Sequence, residues 1–201
     1  MSARANPWDE RYAGAEFMYG TAPNDFLKAH VDALPPRGRV LCLAEGEGRN
    51  AVFLAERGFI VTGVDGSRVG LEKAQRLAQE RQVRLETVVA DLTDFDLGTA
   101  RWDAIVSIWC HVPPALRASL HPRIVAALAP GGVFLLEHYH PTQVGRGTGG
   151  PPDPAWLVTL DELERDFAAL TVLHAFEGER EVHEGAGHHG ASVTTQFIAR
   201  R

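Results

Sequence analysis

Hydrophobic and polar positions change period repeatedly along the chain, and each change marks an element. Residues 26–34 repeat apolar positions at helical spacing until Pro35-Pro36 ends the run. Arg39–Leu43 then turns continuously apolar after its first residue, as a strand buried on both faces must. A short helix over residues 50–57 closes at Gly58, and a second buried strand runs from residue 59 to Asp65. Ser67 follows, placed to cap a helix that carries Val69, Ala74, Leu77 and Ala78 on one face. Residues 83–90 and 104–108 read as strands three and four. The next helix groups Leu116, Leu120, Ile124, Val125 and Leu128, and Pro130-Gly131-Gly132 turns the chain into strand five over residues 133–137. Thr159 and Glu162 have capping-box spacing for a helix starting at Asp161. Residues 171–182 and 192–199 then alternate with period two around residues 185–190, as the two strands of a hairpin do. The pattern predicts an α/β chain with a doubly wound, mostly parallel, Rossmann-like sheet of seven strands that ends in an antiparallel hairpin. Residues 145–154 form a glycine-proline loop longer than a plain connection needs, and loops of that length are usually functional or disordered.

Candidate chemistry begins where strand one breaks into Ala44-Glu45-Gly46-Glu47-Gly48 and then into a helix. Gly46 and Gly48 reach backbone angles closed to other residues and leave room for a ligand at the helix start. Asp65 ends strand two about twenty residues later, where a carboxylate can accept hydrogen bonds from both hydroxyls of a ribose. Together these features signal an adenosine cofactor. Gly46-x-Gly48-x-x-Ala51 also satisfies the dinucleotide fingerprint, so charge has to separate the cofactors. A pyrophosphate would be repelled by Glu45 and Glu47, whereas S-adenosylmethionine carries a cationic sulfonium and a cationic amine. At roughly 1 kcal/mol per close charge pair the acidic turn favours the latter. Asp65 could instead cap the following helix, and Arg49 and Asn50 could simply begin theirs.

Several segments resemble the class I S-adenosylmethionine-dependent methyltransferases, and more narrowly the small tellurite-resistance-like and thiol-methyltransferase-like enzymes. The resemblance is carried by Trp8-Asp-Glu-Arg-Tyr12, Tyr19-Gly-Thr-Ala-Pro-Asn24, Ala44-Glu-Gly-Glu-Gly-Arg-Asn50, Val64-Asp65, Ala90-Asp91, Ser107-Ile-Trp-Cys-His-Val-Pro113, Ala129-Pro-Gly-Gly132 and Glu137-His-Tyr-His-Pro-Thr-Gln143. Two positions depart from the commonest pattern. Cys42 stands where strand one often has an acidic residue, and Ala44 replaces the usual first glycine. The resemblance implies S-adenosylmethionine as cofactor, S-adenosylhomocysteine as product, and a cofactor site of Glu45, Gly46, Glu47, Gly48, Asn50, Asp65, Gly66, Ser67, Asp91 and Leu92. It places Asp91 beside the adenine amino group and Leu92 against the ring. The N-terminal segment would cover the cofactor, which makes Tyr19 and Arg11 pocket candidates. His111, at the carboxyl edge of strand four, could touch the substrate or accept a proton, and His140 and Tyr19 complete the catalytic candidates. The acceptor pocket is expected between His111, His138, Tyr139 and His140, roofed by Tyr19 and residues 145–154.

Composition bounds the partners. With 201 residues, 45% of them hydrophobic, the chain suffices for one domain, read as a cap segment over residues 1–36 and a cofactor-binding core over residues 37–201. A net charge of −6 argues against broad binding to nucleic acid or anionic membranes and for a small-molecule acceptor, with the chain a monomer or homodimer. No apolar run approaches the length of a membrane span and Met1-Ser-Ala-Arg-Ala-Asn6 lacks a signal-peptide core, so a cytoplasmic location is expected. Cys42 and Cys110 are too few for a disulfide framework. No metal is expected, because His188 and His189 are adjacent on extended backbone and cannot easily point the same way, even with His183 as a third ligand. The expected reaction is in-line methyl transfer to a small molecule such as a thiol or metalloid oxyanion; a soft nucleophile of that kind needs little base catalysis. The alternatives are a non-catalytic adenosine-cofactor-binding module and an NAD-dependent oxidoreductase, for whose catalytic domain the chain has little room.

Overall fold

The computed structural model describes residues 6–185 and 187–201, so the first five positions and Ala186 at the hairpin tip lie outside the described residues. Seven strands form one sheet: β1 (Arg39–Leu43), β2 (Ile60–Asp65), β3 (Glu86–Val89), β4 (Trp102–Ile108), β5 (Leu128–Tyr139), β6 (Thr171–Glu184) and β7 (His188–Arg200). Their order is β3-β2-β1-β4-β5-β7-β6, with β7 the strand that runs antiparallel to both of its neighbours. The helices are α1 (Pro7–Tyr12), α2 (Asp25–His30), α3 (Arg49–Glu56), α4 (Arg68–Glu80), α5 (Pro114–Ala127) and α6 (Leu160–Asp166). The doubly wound sheet and its closing hairpin are as the periodicity predicts.

Strand pleating divides the core. Val40, Cys42, Val106 and Leu135 pack with α3 and α4 on one face, while Leu41, Leu43, Ile105 and Phe134 pack with α5 and α6 on the other. This two-sided burial is why β1 shows no polar alternation. The predicted capping box is present, with Thr159 and Glu162 bonding each other's backbone at the start of α6. Four boundaries differ from expectation. The first helix tightens into a 3-10 turn at Val31–Ala33. Strand three loses residues 83–85, because the Val83 amide bonds back to the Ala78 carbonyl at the end of α4. β5 begins early, since Leu128 already pairs with Trp102 across a bulge. His188 and His189 lie in β7 rather than in the hairpin loop, and they point to opposite sides, His188 buried and His189 exposed. Among the described residues no helix is long and apolar enough to cross a membrane.

The N-terminal segment and the tip of the closing hairpin are both fastened over the carboxyl edge of the sheet. Asp9 accepts hydrogen bonds from the Ser67 hydroxyl at 2.6 Å and the Val69 amide at 3.3 Å, which ties α1 to the start of α4. Lys73, buried in α4, donates to the Tyr12 and Glu16 carbonyls and pairs with Glu47. A second network joins the N-terminal segment to the hairpin. Glu137, fully buried in β5, accepts from Arg180 at 2.7 and 2.8 Å, from Gln196 at 2.7 Å and from Asn24 at 2.6 Å. Glu184 accepts from Asn24 at 2.7 Å, from the Trp109 indole at 2.6 Å and from Arg49. Two carboxylates thus face two guanidiniums, and Asn24 spends both amide hydrogens bridging the acids while its oxygen caps α2. Burial alone would raise Glu184, but the Arg49 charge and the Trp109 and Arg49 hydrogen bonds hold it below its usual range.

Removing Glu137 strands the Asn24 and Gln196 amides and leaves half-buried Arg180 only Glu184, at 3.3 Å, a loss of roughly 3–5 kcal/mol. Glu137→Ala is expected to destabilise the fold by about that much in urea denaturation. A loss below about 1 kcal/mol would mean that the network does not hold the hairpin.

Candidate functional site

A cavity of about 970 Å³ opens at the carboxyl ends of β1, β2 and β4, under the N-terminal segment and residues 145–152. Its floor is the turn after β1. Ala44 adopts φ +49° where a glycine is usual, and Gly46 and Gly48 follow at +60° and +93°, so the turn forms with one non-glycine residue in left-handed conformation. The two glycines serve packing. A Cβ on Gly46 would lie 2.7 Å from the Tyr12 hydroxyl, and one on Gly48 would meet Ala74 of α4. Neither glycine lines the cavity.

Glu45, Glu47, Asn50, Asp65, Gly66, Asp91 and Leu92 do line it. Asp65 is buried, and its two oxygens accept from the Gly46 amide at 2.8 Å and the Ser67 amide at 2.7 Å; burial first, and Asp9 as well, raise its pKa against those bonds. Asp91 is exposed at the rim and caps its own turn through the Thr93 amide at 2.8 Å, which lowers its pKa. Ser67 is a correction: it caps α4 by accepting from the Gly70 amide at 3.0 Å, is fully buried, and lies outside the cavity lining.

The acidic turn also plays a different part from the one charge counting assigns. Glu45 folds back to accept from the Asn50 and Ala51 amides at 3.1 and 2.8 Å, capping α3, and burial pushes its pKa up to about 7. Glu47 is neutralised by Lys73 and accepts from the Met18 amide at 2.8 Å. Asn50 accepts from the Asn24 amide at 2.9 Å. Charges committed to the fold in this way no longer argue for a cationic cofactor.

The second half of the cavity is aromatic. Trp109 follows β4 with φ +54°, a strained setting for a bulky side chain, and its ring stacks on Tyr139 at 4.3 Å and on His188 at 5.0 Å. Tyr19 stacks on the far side of the group, 4.7 Å from His188. His188 Nδ1 and the Tyr139 hydroxyl are 2.6 Å apart. Glycines permit this assembly: a Cβ on Gly187 would strike the Tyr19 ring, and one on Gly150 would lie 2.8 Å from Tyr139.

His111 and Tyr19 line the cavity, but the proton-acceptor role for His111 is corrected. The Tyr139 amide donates to His111 Nε2 at 3.1 Å, which assigns the proton of the neutral ring to Nδ1. Burial and the neighbouring His188 pull its pKa down to about 3. The ring can therefore donate a hydrogen bond and not take a proton. His140 is also corrected: the β5 pleat turns it away to Glu177 at 3.1 Å and Thr142 at 2.8 Å, outside the cavity. His138 points the same way as His140 and lies buried against Ser107. Tyr139 supports the aromatic wall from behind. His188, lowered to about 4 by burial, was missed as a cavity residue, as was Trp109. An aromatic just past a strand's carboxyl end was the available signal for Trp109; nothing local marked His188, whose place depends on hairpin register.

Comparison with known proteins bears on this site. Residues 40–132 match a family model described as a methyltransferase domain. Among curated proteins, the 2-heptyl-1-hydroxyquinolin-4(1H)-one methyltransferase of Mycobacteroides abscessus is 32% identical over 102 residues, covering 49% of this chain and 45% of that protein. The tRNA (uracil(54)-C(5))-methyltransferase of Pyrococcus abyssi is 30% identical over 137 residues, covering 59% and 32%. The chain thus spans less than half the length of these curated relatives. Among solved structures, one concerned with conversion of a disulfide bond into a thioacetal group during echinomycin biosynthesis aligns at TM-score 0.75 and 22% identity over 96% of this chain and 87% of that one. TehB from Haemophilus influenzae aligns at 0.72 and 19% over 88% and 61%. These likenesses bear out the expected methyltransferase fold. A relative named for tRNA also means that acidity alone does not exclude a nucleic-acid partner.

The raised Glu45 pKa couples stability to pH. Its contribution is fully present below the unfolded value of 4.5 and is lost as pH rises through about 7, because the folded state holds the proton longer. Glu45→Gln, which keeps an oxygen for the two amides, is expected to match the parent near the low end of that window. Above it the variant should gain on the order of 2–3 kcal/mol over the parent in denaturant titrations. Parallel pH profiles for the two proteins would refute the assignment.

Proposed function

We propose that this chain, a class I S-adenosylmethionine-dependent methyltransferase by its fold and its matched domain, is an enzyme that transfers the cofactor's methyl group to a small molecule bearing a thiol or a metalloid oxyanion. The carrying observation is that one cavity joins Ala44, Glu45 and Glu47 of the turn after β1, with Asp65, at one end to Trp109 and His111 at the other. Its volume of about 970 Å³ leaves space for an acceptor beside an adenosine-type cofactor.

The residues present fit that cofactor. Asp65 offers carboxylate lone pairs beyond the two used by backbone amides, Asp91 offers an exposed acceptor at the rim, and Leu92 provides apolar surface between them. When bound, S-adenosylmethionine supplies a methyl group already activated on a sulfonium, so the chain's task is alignment and exclusion of water. The N-terminal segment and residues 145–152 cover the cavity for that purpose. Proton removal is not what the described lining provides: His111 donates, and burial keeps both His111 and His188 neutral with weak basicity. Cys110 also lines the cavity, but burial and the Asp65 charge push its thiol up to about 12. An acceptor that supplies its own nucleophilic lone pair suits such a site, which supports a thiolate or oxyanion over a neutral amine.

Titration calorimetry with S-adenosylmethionine, S-adenosylhomocysteine and NAD, followed by a methyl-transfer screen, tests this reading. The first two should bind and NAD should not; NAD binding alone would favour an oxidoreductase, and tight cofactor binding without transfer would favour a non-catalytic module. Asp65→Ala should weaken S-adenosylhomocysteine binding by about 1–3 kcal/mol and also lower stability, since Asp65 braces the turn. Unchanged affinity in the folded variant would remove Asp65 from the cofactor site.

A further inference from the structure

We infer that the methyl acceptor is a planar aromatic molecule carrying its nucleophile as an acidic ring substituent, a thiol or a hydroxyl, and that Trp109 and Tyr19 select it by stacking. This rests on the methyl-transfer reading above, confines its thiol acceptors to aromatic ones and puts a phenolate in place of the metalloid oxyanion. Three features of the acceptor half carry the inference.

The first is the wall itself. Tyr19, His188 and Trp109 form consecutive near-parallel pairs, with interplanar angles of 26° and 21°. All three line the cavity, so its border here is rigid aromatic surface, in the ring edges and in whatever faces are not spent on a neighbouring ring. The second is the cost accepted to place the wall. Trp109 keeps a left-handed backbone, strained for a bulky side chain, while its indole N–H is tied to Glu184. Its orientation is therefore set from behind. The third is the loop beside the wall. Its glycines and Pro151-Pro152 line the cavity with backbone and ring surface, and Val112, Leu116 and Trp156 add apolar side chains, so the surroundings of the aromatics are apolar.

Polar groups at the wall suit a ring substituent. His111 Nδ1–H is left over after Nε2 accepts from the Tyr139 amide, and His188 Nε2 is left over after Nδ1 pairs with the Tyr139 hydroxyl. Arg11 also lines the cavity and has no carboxylate partner among the described residues; its guanidinium lies over the Trp8 ring at 5.1 Å. A cation and neutral imidazoles can orient a thiolate or phenolate without removing its proton. In the transfer the acceptor sulfur or oxygen donates an electron pair to the methyl carbon as the carbon–sulfonium bond breaks. Its pair returns to the cofactor sulfur, and the acceptor's proton has already gone to solvent.

The test compares acceptors of matched acidity, measured as S-adenosylhomocysteine formed: thiophenol and 4-nitrophenol, an aliphatic thiol as acidic as thiophenol, and inorganic tellurite and selenite. Cofactor binding is followed separately by calorimetry. The aromatic thiol should exceed the aliphatic one in kcat/KM by about tenfold or more. Trp109→Leu should raise KM for thiophenol and shrink that preference to within about threefold, while Trp109→Phe, which keeps a ring face, retains it. Tyr19→Leu gives the same readout without touching the Glu184 pair, should the Trp109 variants fail to fold. Equal use of the matched thiols, or preference for the inorganic oxyanions, would overturn the inference and leave the methyltransferase reading standing. Cofactor bound with no aromatic probe methylated, and none quenching tryptophan fluorescence, would also overturn it. Failure to bind S-adenosylmethionine would instead overturn the reading on which it rests.

Discussion

Two buried carboxylates and two guanidiniums, Arg49 buried and Arg180 half-buried, decide how this chain closes on itself. Glu137 and Glu184 come from β5 and β6, Arg49 from the start of α3, Arg180 from β6, and Asn24 arrives from the N-terminal segment to touch both acids. Desolvating four charges is costly, and the mutual pairing with nearly every lone pair used is what offsets it. The arrangement cannot form piecemeal: hairpin register, the helix after the first turn and the N-terminal segment must all be in place together. The aromatic wall stands on this base, because Glu184 holds the Trp109 indole.

The first turn shows how the same residue type can support opposite arguments. In the sequence, Glu45 and Glu47 look like negative charge offered to a ligand. In the fold, one caps α3 from within and the other neutralises Lys73. Local sequence could not separate these uses, because the partner of Glu47 is 26 residues away on a different helix. The cofactor assignment is thus better supported by the shape of the turn, by Asp65 and by the fold than by the charge of the turn.

What was legible followed from periodicity and backbone chemistry. The buried strands, the Ser67 and Thr159 caps and the closing hairpin all depend on residues within a few positions of one another, so sequence carried them. Asp65 was legible because strand ends in such sheets face one edge. The aromatic half of the cavity was not. His188 reaches Tyr19 and Trp109 only through the pairing of β6 with β7, and His140 misses the cavity because one step along β5 reverses the side a residue faces. Errors of this kind belong to register, which long-range pairing sets and composition does not record.

Gly185 and Gly187 give the chain an order of assembly. A Cβ at either would run into Tyr19 or its backbone, so these hairpin residues form the seat for a side chain made more than 160 positions earlier. During synthesis the N-terminal segment can dock on α4 as soon as Lys73 exists, but Tyr19 has no seat and Trp109 no anchor until β6 and β7 emerge. A nascent chain stopped before the hairpin would hold the glycine turn and Asp65 but lack the His188 side of the aromatic wall. The aromatic half of the cavity, seated on the hairpin, is therefore the last part of it to be built as the protein is made.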